Sequence, residues 1–357
     1  MLPKIQIGVI GTGFGAKVHV PGFRTIPGIE IVGIAGRDPN RTEVIARDLG
    51  VPRPHGSWEA LIADRDLSAV TIAAPPTLHH SMVMAALRRG LHVLCEKPFG
   101  LDSKQGSEML AVANQAGVVH MVDFLFRMAP ERTRLKELLD AGAVGEIRRV
   151  NVEWTLAGRA TTAEPKWGWQ FDSTGGGGVL FAFGSHVFDY LEWLLGPVRS
   201  VSAHLSTRRP VWDATTGRKS AEDTVDAIML LENGAPVTLS ISLVVPGGRG
   251  HWLSIYGEHG MLAVGNSNLE DVVWGTHLYK AGLDCNVLQE IRVPELPHAG
   301  LPDGRVSLFR RIAEAFIDQI RTCRPGSPSF RDGWRAHVVM DAIRRSHESR
   351  AWVDVSG

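Results

Sequence analysis

Two side chains in this sequence combine a proton-transferring type with a favourable position. Lys97 follows the apolar run His92–Cys95, which predicts an ammonium group just past a buried strand. Such a group can polarise or protonate a substrate oxygen while hydride moves to or from the attached carbon. His186 follows Gly184-Ser185, a pair that can open a helix, and the positive end of a helix dipole favours the neutral imidazole that accepts a proton. The alternatives are a lysine at a surface turn and a hydrogen-bonded core histidine.

A glycine-rich turn lies near the start of the chain. The apolar run Ile5–Ile10 is followed by Gly11, Thr12, Gly13, Phe14, Gly15 and Ala16, and a helix can begin near His19. A strand, a glycine turn and a helix together bind the pyrophosphate of a dinucleotide, because the backbone comes close and helix N–H groups point at the anion. The turn therefore predicts a dinucleotide site.

The end of the second predicted strand bears on the choice of cofactor. An acidic residue there binds the adenosine ribose hydroxyls and repels a 2′-phosphate, but this sequence has Gly36 followed by Arg37. The guanidinium of Arg37 can clamp a phosphate, so the segment favours NADP over NAD. The alternative is that Arg37 is a solvated loop residue and Asp38 caps the helix beginning near Pro39.

The elements that position these residues alternate between strand and helix, which predicts a doubly wound parallel sheet with ligands at the carboxyl ends of its strands. The predicted segments are Ile5–Ile10, Ile29–Ala35, Asn40–Leu49, Ala69–Ala74, Leu78–Arg89, His92–Cys95, Ser103–Gln115 and Val118–Val122. A length of 357 residues suits two domains. We assign residues 1–123 to an α/β Rossmann domain that binds NAD(P).

Residues 124–357 read as an α+β domain on a large, mostly antiparallel open sheet, which would bind substrate and mediate oligomerisation. Its predicted strands are Val150–Thr155, Val198–Ser206, Ala227–Leu231, Val237–Val245 and His251–Tyr256, followed by helices Ser307–Arg321 and Trp334–Ser346.

Composition excludes several classes of partner. Lys plus Arg equals Asp plus Glu at 38 each, so no net charge draws the chain to nucleic acid or an anionic membrane. No apolar run approaches the roughly twenty residues of a membrane span. The three cysteines are far apart in the chain, which favours a reducing cytoplasm. Adjacent His79 and His80 point apart on a helix, and we predict no metal.

The ordered motifs resemble the Gfo/Idh/MocA family, named for glucose-fructose oxidoreductase and inositol dehydrogenase. They are the glycine turn, Pro75 to His79, Glu96-Lys97-Pro98, Phe126-Arg127 with Leu135 to Ile147, Gly175 to Gly178, Gly184-Ser185-His186, Asp189, Trp193 to Gly196 and Glu222-Asp223-Thr224. The resemblance implies hydride transfer between a nicotinamide and a hydroxyl or ketone carbon of a sugar, cyclitol or glycoside, with Lys97 and His186 as proton-transfer groups. It also implies a cis Lys97–Pro98 bond and a homodimer or homotetramer. A last predicted helix, Trp334–Ser346, that packs back against the first domain is implied as well.

Further site residues follow from these motifs. Cofactor contacts are expected from Ala74, Pro75, Pro76, His79, Glu96 and Lys97, in addition to the glycine turn, Arg37 and Asp38. Substrate contacts are expected from Arg127, Trp167, Trp169, Asp172, His186 and Tyr190. The tryptophans are included because flat aromatic faces suit the apolar faces of sugar rings, although tryptophans are more often core residues.

The sequence departs from the family pattern at one position. Family members that oxidise sugars or cyclitols usually carry an aspartate four residues before the histidine, and this chain has Ala182 there. Asp172, Asp189 and Tyr190 are candidates to replace it. The departure keeps two alternatives open: a reductase of less polar carbonyls, of the dihydrodiol, dicarbonyl or tetrapyrrole type, and a non-catalytic regulator that senses NADP.

Overall fold

The structure is a computed structural model that describes residues 4–161, 167–266, 275–297, 300–301 and 303–356. The chain divides into two compact units. The first contains Met1–Met128 and Leu296–Trp334, and the second contains Ala129–Glu295 and Arg335–Gly357.

The first unit is built on a six-stranded sheet in which every strand is parallel to its neighbours. The strands are β1 (Ile5–Ile10), β2 (Ile29–Ala35), β3 (Arg53–His55), β4 (Ala69–Ile72), β5 (His92–Cys95) and β6 (His120–Val122). The helices between them are α1 (Val20–Arg24), α2 (Pro39–Leu49), α3 (Trp58–Ile62), α4 (Pro76–Arg88) and α5 (Ser103–Ala116). The strand order β3-β2-β1-β4-β5-β6 reverses between β1 and β4, which is where this sheet type binds ligands.

Local sequence explains the helix boundaries. The carboxylates of Asp38 and Asp102 and the hydroxyl of Ser57 accept backbone N–H groups at the starts of α2, α5 and α3. Such caps satisfy donors that have no partner within the helix. Helices α2 and α5 end at Gly50 and Gly117 in the left-handed conformation, which glycine adopts without strain.

The second unit contains a nine-stranded sheet. Its elements are α6 (Pro130–Asp140), β7 (Ile147–Thr155), α7 (Gly158–Thr161), α8 (Ser185–Leu195), β8 (Val198–Ser206), β9 (Thr224–Leu231), β10 (Pro236–Ser242), β11 (Gly250–Gly257), β12 (Gly260–Asn266), β13 (His277–Gly282) and β14 (Cys285–Ile291). Further along the chain are helix α9 (Val306–Thr322), which belongs to the first unit, helix α10 (Phe330–Ser349) and strand β15 (Val353–Asp354).

The strand order of this sheet is β14-β13-β12-β11-β7-β10-β9-β8-β15. Strands β7 and β10 are parallel and the other pairs are antiparallel. In β9, Val225, Ala227, Met229 and Leu231 are buried while Ile228 is exposed, as expected for a sheet with one covered face. The predicted Rossmann fold and mostly antiparallel second sheet are confirmed.

Helix α9 lies in the first unit, whereas the predicted boundary placed all residues after 123 in the second domain. The helix buries Phe309 and Phe316. A Cβ atom at Gly22 of α1 would lie 2.5 Å from Phe309 Cδ1, so the glycine allows the two helices to pack closely. Within the described part of the chain, every helix is too short or too polar to cross a membrane.

Candidate active site

The glycine turn after β1 has the shape that a pyrophosphate needs. Gly11 has φ +123°, and a Cβ atom there would lie 2.2 Å from the carbonyl oxygen of Ala73, so only glycine fits. A Cβ atom at Gly13 would meet no atom within 4 Å, which leaves open space beside the backbone. Ala16 is buried. The turn therefore offers an accessible backbone next to the loop that follows β4.

The loop after β2 has a structural reason for lacking an acid. A Cβ atom at Gly36 would lie 2.6 Å from Thr12 Cγ2 and 2.7 Å from Thr42 Oγ1. Arg37 is exposed. The carboxylate of Asp38 accepts the N–H of Arg41 at 3.1 Å, so Asp38 is the N-cap of α2, as in the alternative interpretation. Both Arg37 and Asp38 are exposed.

His79 ties together the loops after β4 and β5. Its ring is fully buried, with Nδ1 2.9 Å from the carbonyl oxygen of Pro98 and Nε2 2.8 Å from that of Ala74. Pro75 precedes α4 and Pro76 begins it. The Lys97–Pro98 peptide bond is cis, as the family resemblance implies. His79 thus fixes two loops predicted to contact cofactor.

Lys97 follows β5, as predicted. Burial lowers the pKa of its amine, and the neighbouring Glu96 and Asp123 side chains only partly oppose this effect. An amine with a lowered pKa exchanges its proton more readily near neutral pH. Cys95 is fully buried, and burial raises the pKa of its thiol well above the ordinary value, which agrees with an unreactive role.

A buried cluster that the sequence analysis did not identify lies beside Lys97. His19 Nε2 lies 3.1 Å from Glu96 Oε1 and 3.5 Å from Asp123 Oδ2, while His19 Nδ1 lies 2.7 Å from Thr71 Oγ1. One signal was available: Glu96 and Asp123 directly follow β5 and β6, which are neighbouring strands. The side-chain N and O atoms of His19, Glu96 and Asp123 that could bind a metal ion lie within 4.8 Å of one another. Among the described residues, this is the only such group of three His, Cys, Asp or Glu side chains. The expectation of no metal stays a prediction.

Arg127 is buried in the first unit. Its guanidinium lies 2.8 Å from Asp332 Oδ1 and donates to Ser327 Oγ at 2.5 Å. These contacts tie the segment after β6 to the start of α10. The predicted substrate contact of Arg127 stays a prediction.

His186 lies in the second unit and in the first turn of α8, which begins at Ser185 as predicted, but this start is not a free helix end. A π-helical turn over Leu180–Gly184 runs directly into α8, and Gly184 itself has helical dihedral angles (φ −58°, ψ −36°). His186 is therefore inside a continuous helical segment, where the dipole argument for its neutral form does not hold. His186 is buried, and Ala182 is also buried one turn earlier.

Two glycines of the Gly175–Gly178 run before this helix make room for other residues of this chain. A Cβ atom at Gly178, which has φ +96°, would lie 2.0 Å from Glu222 Oε1, and one at Gly177 would lie 2.5 Å from the carbonyl oxygen of Trp169. Glu222 Oε1 accepts the N–H of Leu180 at 3.1 Å. Glu222 thus caps the helical segment, which gives the run a structural purpose.

The predicted substrate residues before the run make contacts of their own. The rings of Trp167 and Phe171 stack with centroids 5.9 Å apart. Asp172 Oδ1 accepts the N–H and hydroxyl of Thr174 at 3.0 and 2.7 Å, and lies 3.2 Å from Arg218 Nη1. Trp167, Trp169 and Asp172 are all partly exposed. Asp172 therefore stabilises a turn, and the substrate contacts of these residues stay predictions.

Tyr190 belongs to a buried polar cluster. Its hydroxyl lies 3.0 Å from His251 Nε2, and the His251 ring stacks on Trp154 with centroids 3.9 Å apart. Arg132 Nη2 lies 3.2 Å from His251 Nδ1. Burial, with the charge of Arg132, holds the pKa of His251 well below its usual value, so His251 is neutral. Arg132 and His251 were not predicted from the sequence, because neither lies in a recognisable motif.

Comparison with known proteins agrees with this architecture. Residues 5–124 match the oxidoreductase family with an NAD-binding Rossmann fold, and residues 133–263 match the GFO/IDH/MocA C-terminal domain. An uncharacterized oxidoreductase of Synechocystis is 35% identical over 361 residues, which cover 99% of this chain and 96% of that protein. The chain belongs to the Gfo/Idh/MocA oxidoreductase family, and the predicted resemblance is confirmed.

Two further relatives have named activities. Levoglucosan dehydrogenase of Pseudarthrobacter phenanthrenivorans is 26% identical over 400 residues, covering 99% of both chains. A structure of levoglucosan dehydrogenase in complex with NADH and levoglucosan superposes with a TM-score of 0.89 at 25% identity, covering 99% of each chain. An NADP-dependent D-xylose 1-dehydrogenase of Haloferax volcanii is 40% identical over 146 residues, covering 40% of this chain and 45% of that protein.

Proposed function

We propose that this protein transfers hydride between a nicotinamide cofactor and a hydroxyl or ketone carbon of a sugar, cyclitol or glycoside, with Lys97 and His186 as the proton-transfer groups. The observation that carries the proposal is the position of Lys97: a lysine with a lowered pKa follows β5 in a unit whose glycine turn leaves room for a pyrophosphate. The levoglucosan and xylose dehydrogenases named above support a sugar-like substrate.

The chemistry divides between cofactor and protein. When bound, the nicotinamide accepts hydride from the carbon that carries the hydroxyl group, or gives hydride to a carbonyl carbon. In the oxidative direction the hydroxyl proton must leave as the carbonyl forms, and a neutral Lys97 amine can accept it. In the reductive direction the Lys97 ammonium returns a proton to the oxygen. His186 is proposed as the second proton-transfer group.

We also propose a preference for NADP, based on Gly36 and the exposed Arg37. Arg37 would pair with the 2′-phosphate. The absence of a carboxylate at position 36 removes the group that would repel it. We further propose that the protein is cytoplasmic and forms a homodimer or homotetramer. Light scattering of the purified protein tests the oligomeric state.

A substrate panel tests this function. Purified protein is mixed with NADP or NAD and a set of aldoses, anhydrosugars and cyclitols, and with NADPH or NADH and a set of ketosugars, dicarbonyls and aromatic ketones. Absorbance at about 340 nm reports nicotinamide reduction or oxidation. Turnover confined to polyhydroxylated compounds supports the proposal, and turnover confined to the less polar carbonyls contradicts it. Cofactor binding without turnover on any compound would favour the regulator instead.

A further inference from the structure

The function proposed above gives no role to His19 and Asp123, and Glu96 enters it only as an expected cofactor contact. His19 and Asp123 are fully buried, and Glu96 is 8% exposed. Two carboxyl groups this close together cannot both be ionised in a buried site unless a cation or a shared proton compensates. His19 Nε2 faces both carboxyl groups, which places the compensating group between them.

The cluster is connected to the backbone of Lys97. While Glu96 Oε1 faces His19, Glu96 Oε2 accepts the backbone N–H of Lys97 at 3.2 Å. Two contacts fix the His19 ring: one face stacks on the Phe309 ring with centroids 4.0 Å apart, and Nδ1 lies at hydrogen-bond distance from Thr71 Oγ1. A rotation of the Glu96 carboxylate would therefore disturb both the His19 contact and the peptide that carries Lys97.

The protons in the cluster can be assigned. Burial alone would lower the pKa of His19, but Asp123 and Glu96 outweigh it and the pKa is raised. Burial and the Glu96 charge raise the pKa of Asp123 well above its usual value. Burial opposes ionisation of Glu96, yet contacts with His19 and Asp123 lower its pKa. The three shifts favour the protonated form of His19, the ionised form of Glu96 and the neutral form of Asp123.

The other charged groups around the cluster are cations. Lys97 and Arg305 both interact electrostatically with Glu96 and Asp123. His79 also lies near Glu96, but burial lowers its pKa and favours its neutral form. Arg305 is also paired with Asp303 at 2.7 Å. Two nearby cations disfavour a divalent metal ion in the cluster, so a protonated His19 is the better compensating charge.

We propose that His19 and Asp123 are positioning residues for proton transfer at Lys97: they keep Glu96 ionised and in one orientation. Glu96 then sets the position of the Lys97 peptide and the protonated fraction of its amine. This inference rests on the function proposed for Lys97, and its test includes a readout that does not need turnover.

Two substitutions at His19 separate the contact with Glu96 from the packing of the ring. In His19→Gln the side-chain amide can replace Nε2 and donate to Glu96, whereas in His19→Asn it replaces Nδ1 and faces Thr71. Both variants lose the stack on Phe309 and the positive charge. His80→Asn is the matched control, because His80 pairs with Glu108 on the surface of α4.

We expect His19→Asn to lower kcat about tenfold or more with KM changed less than about threefold, because a positioning loss acts on the chemical step. His19→Gln should retain a clearly larger share of kcat. Asp123→Leu should lower kcat as His19→Asn does, and Asp123→Asn should recover part of it, because its amide keeps an uncharged donor beside Glu96. In His19→Asn the limb of the kcat pH profile due to Lys97 should move to lower pH, since a more often protonated Glu96 stabilises the ammonium less.

The turnover-independent readout is the titration of Lys97 itself. Competitive acetylation across a pH series, followed by mass spectrometry of the Lys97 peptide, gives the pKa of this amine. We expect a lower value in His19→Asn than in the wild type and no change in His80→Asn. If the wild type shows no turnover, the proposed function fails, while this titration still decides whether the cluster controls Lys97.

Three results would overturn the inference. One is wild-type kcat and an unchanged Lys97 titration in His19→Asn. Another is an equal loss of kcat in His19→Gln and His19→Asn together with equal thermal destabilisation, which would show that only ring packing matters. The third is a divalent metal that copurifies at one equivalent per chain with the wild type and is lost in His19→Asn, which would make the cluster a metal centre.

Discussion

The backbone of Gly36 lies against the side chain of Thr12, so that a Cβ atom at position 36 would lie 2.6 Å from Thr12 Cγ2. The glycine turn and the loop after β2 are therefore fitted to each other. Any side chain at position 36, including that of aspartate or glutamate, would require the Thr12 or Thr42 side chains to shift. The structure thus links the absence of an acid at this position to the packing of the turn.

Replacing Arg37 by alanine tests the NADP preference. We expect KM for NADP to rise about tenfold, the equivalent of about 1.4 kcal/mol, because a charge-assisted contact with the 2′-phosphate is lost. KM for NAD should change by less than about twofold. Steady-state kinetics with both cofactors measure this, and Arg47→Ala, an exposed residue late in α2, is the control. An equal effect of Arg37→Ala on NADP and NAD would refute the preference.

Replacing Arg127 by methionine tests whether the Asp332 pair stabilises the fold. Breaking a buried ion pair costs about 3 kcal/mol, and we expect the midpoint of thermal unfolding to fall by several degrees. Arg134→Met should have little effect, because Arg134 and Glu137 form an exposed pair. A variant that unfolds like the wild type but has a raised substrate KM would instead support substrate binding by Arg127.

The same pair predicts a pH dependence of stability. Burial would raise the pKa of Asp332, but Arg127 and the Ser329 contacts outweigh it and lower the pKa. A carboxyl group whose folded pKa is lowered stabilises the protein above its unfolded pKa of about 4, and this contribution is lost as the pH falls further. The difference in unfolding midpoint between the wild type and Arg127→Met should therefore shrink below about pH 4. A difference that is constant from neutral to acid pH would contradict this assignment.

Replacing Gly178 by alanine tests whether packing against Glu222 requires a glycine in this run. The new methyl group would overlap the Glu222 carboxylate at a positive φ, so we expect a loss of at least about 2 kcal/mol in the free energy of unfolding. Gly168→Ala is the matched control, since Gly168 has an extended backbone (φ −160°) and open space for a Cβ atom. Chemical denaturation compares the two variants. Equal unfolding midpoints would show that Gly178 is not required by the chain itself.

The sequence predicted the strands of the first unit well, because each buried parallel strand is a short apolar run. Strand β5 has the predicted bounds, His92–Cys95. The sequence missed β3 (Arg53–His55), which has a half-exposed pattern, and β12 to β14, in which glycines and polar residues mask the alternation. Helix α3 was also missed, although Ser57 is a visible capping signal.

The site was only partly predictable, because its residues make contacts across long stretches of chain. Lys97 and the glycine turn could be identified, since a motif places each at a strand end. The ion pair of Arg127 with a residue 205 positions away has no local signature. The π-helical turn before α8 has none either, so the start of α8 at Ser185 could be predicted but the helical turn that leads into it could not.

The most direct test of the account is the rate of hydride transfer in Lys97→Ala. With saturating cofactor and the best substrate of the panel, stopped-flow absorbance should show a rate lowered about a hundredfold to ten-thousandfold, the usual contribution of a general acid–base group. The Kd for NADPH, from fluorescence titration, should stay within about threefold of the wild type, and the exposed Lys104→Ala should match the wild type in both. A Lys97→Ala protein that transfers hydride within about tenfold of the wild-type rate would contradict the role of Lys97.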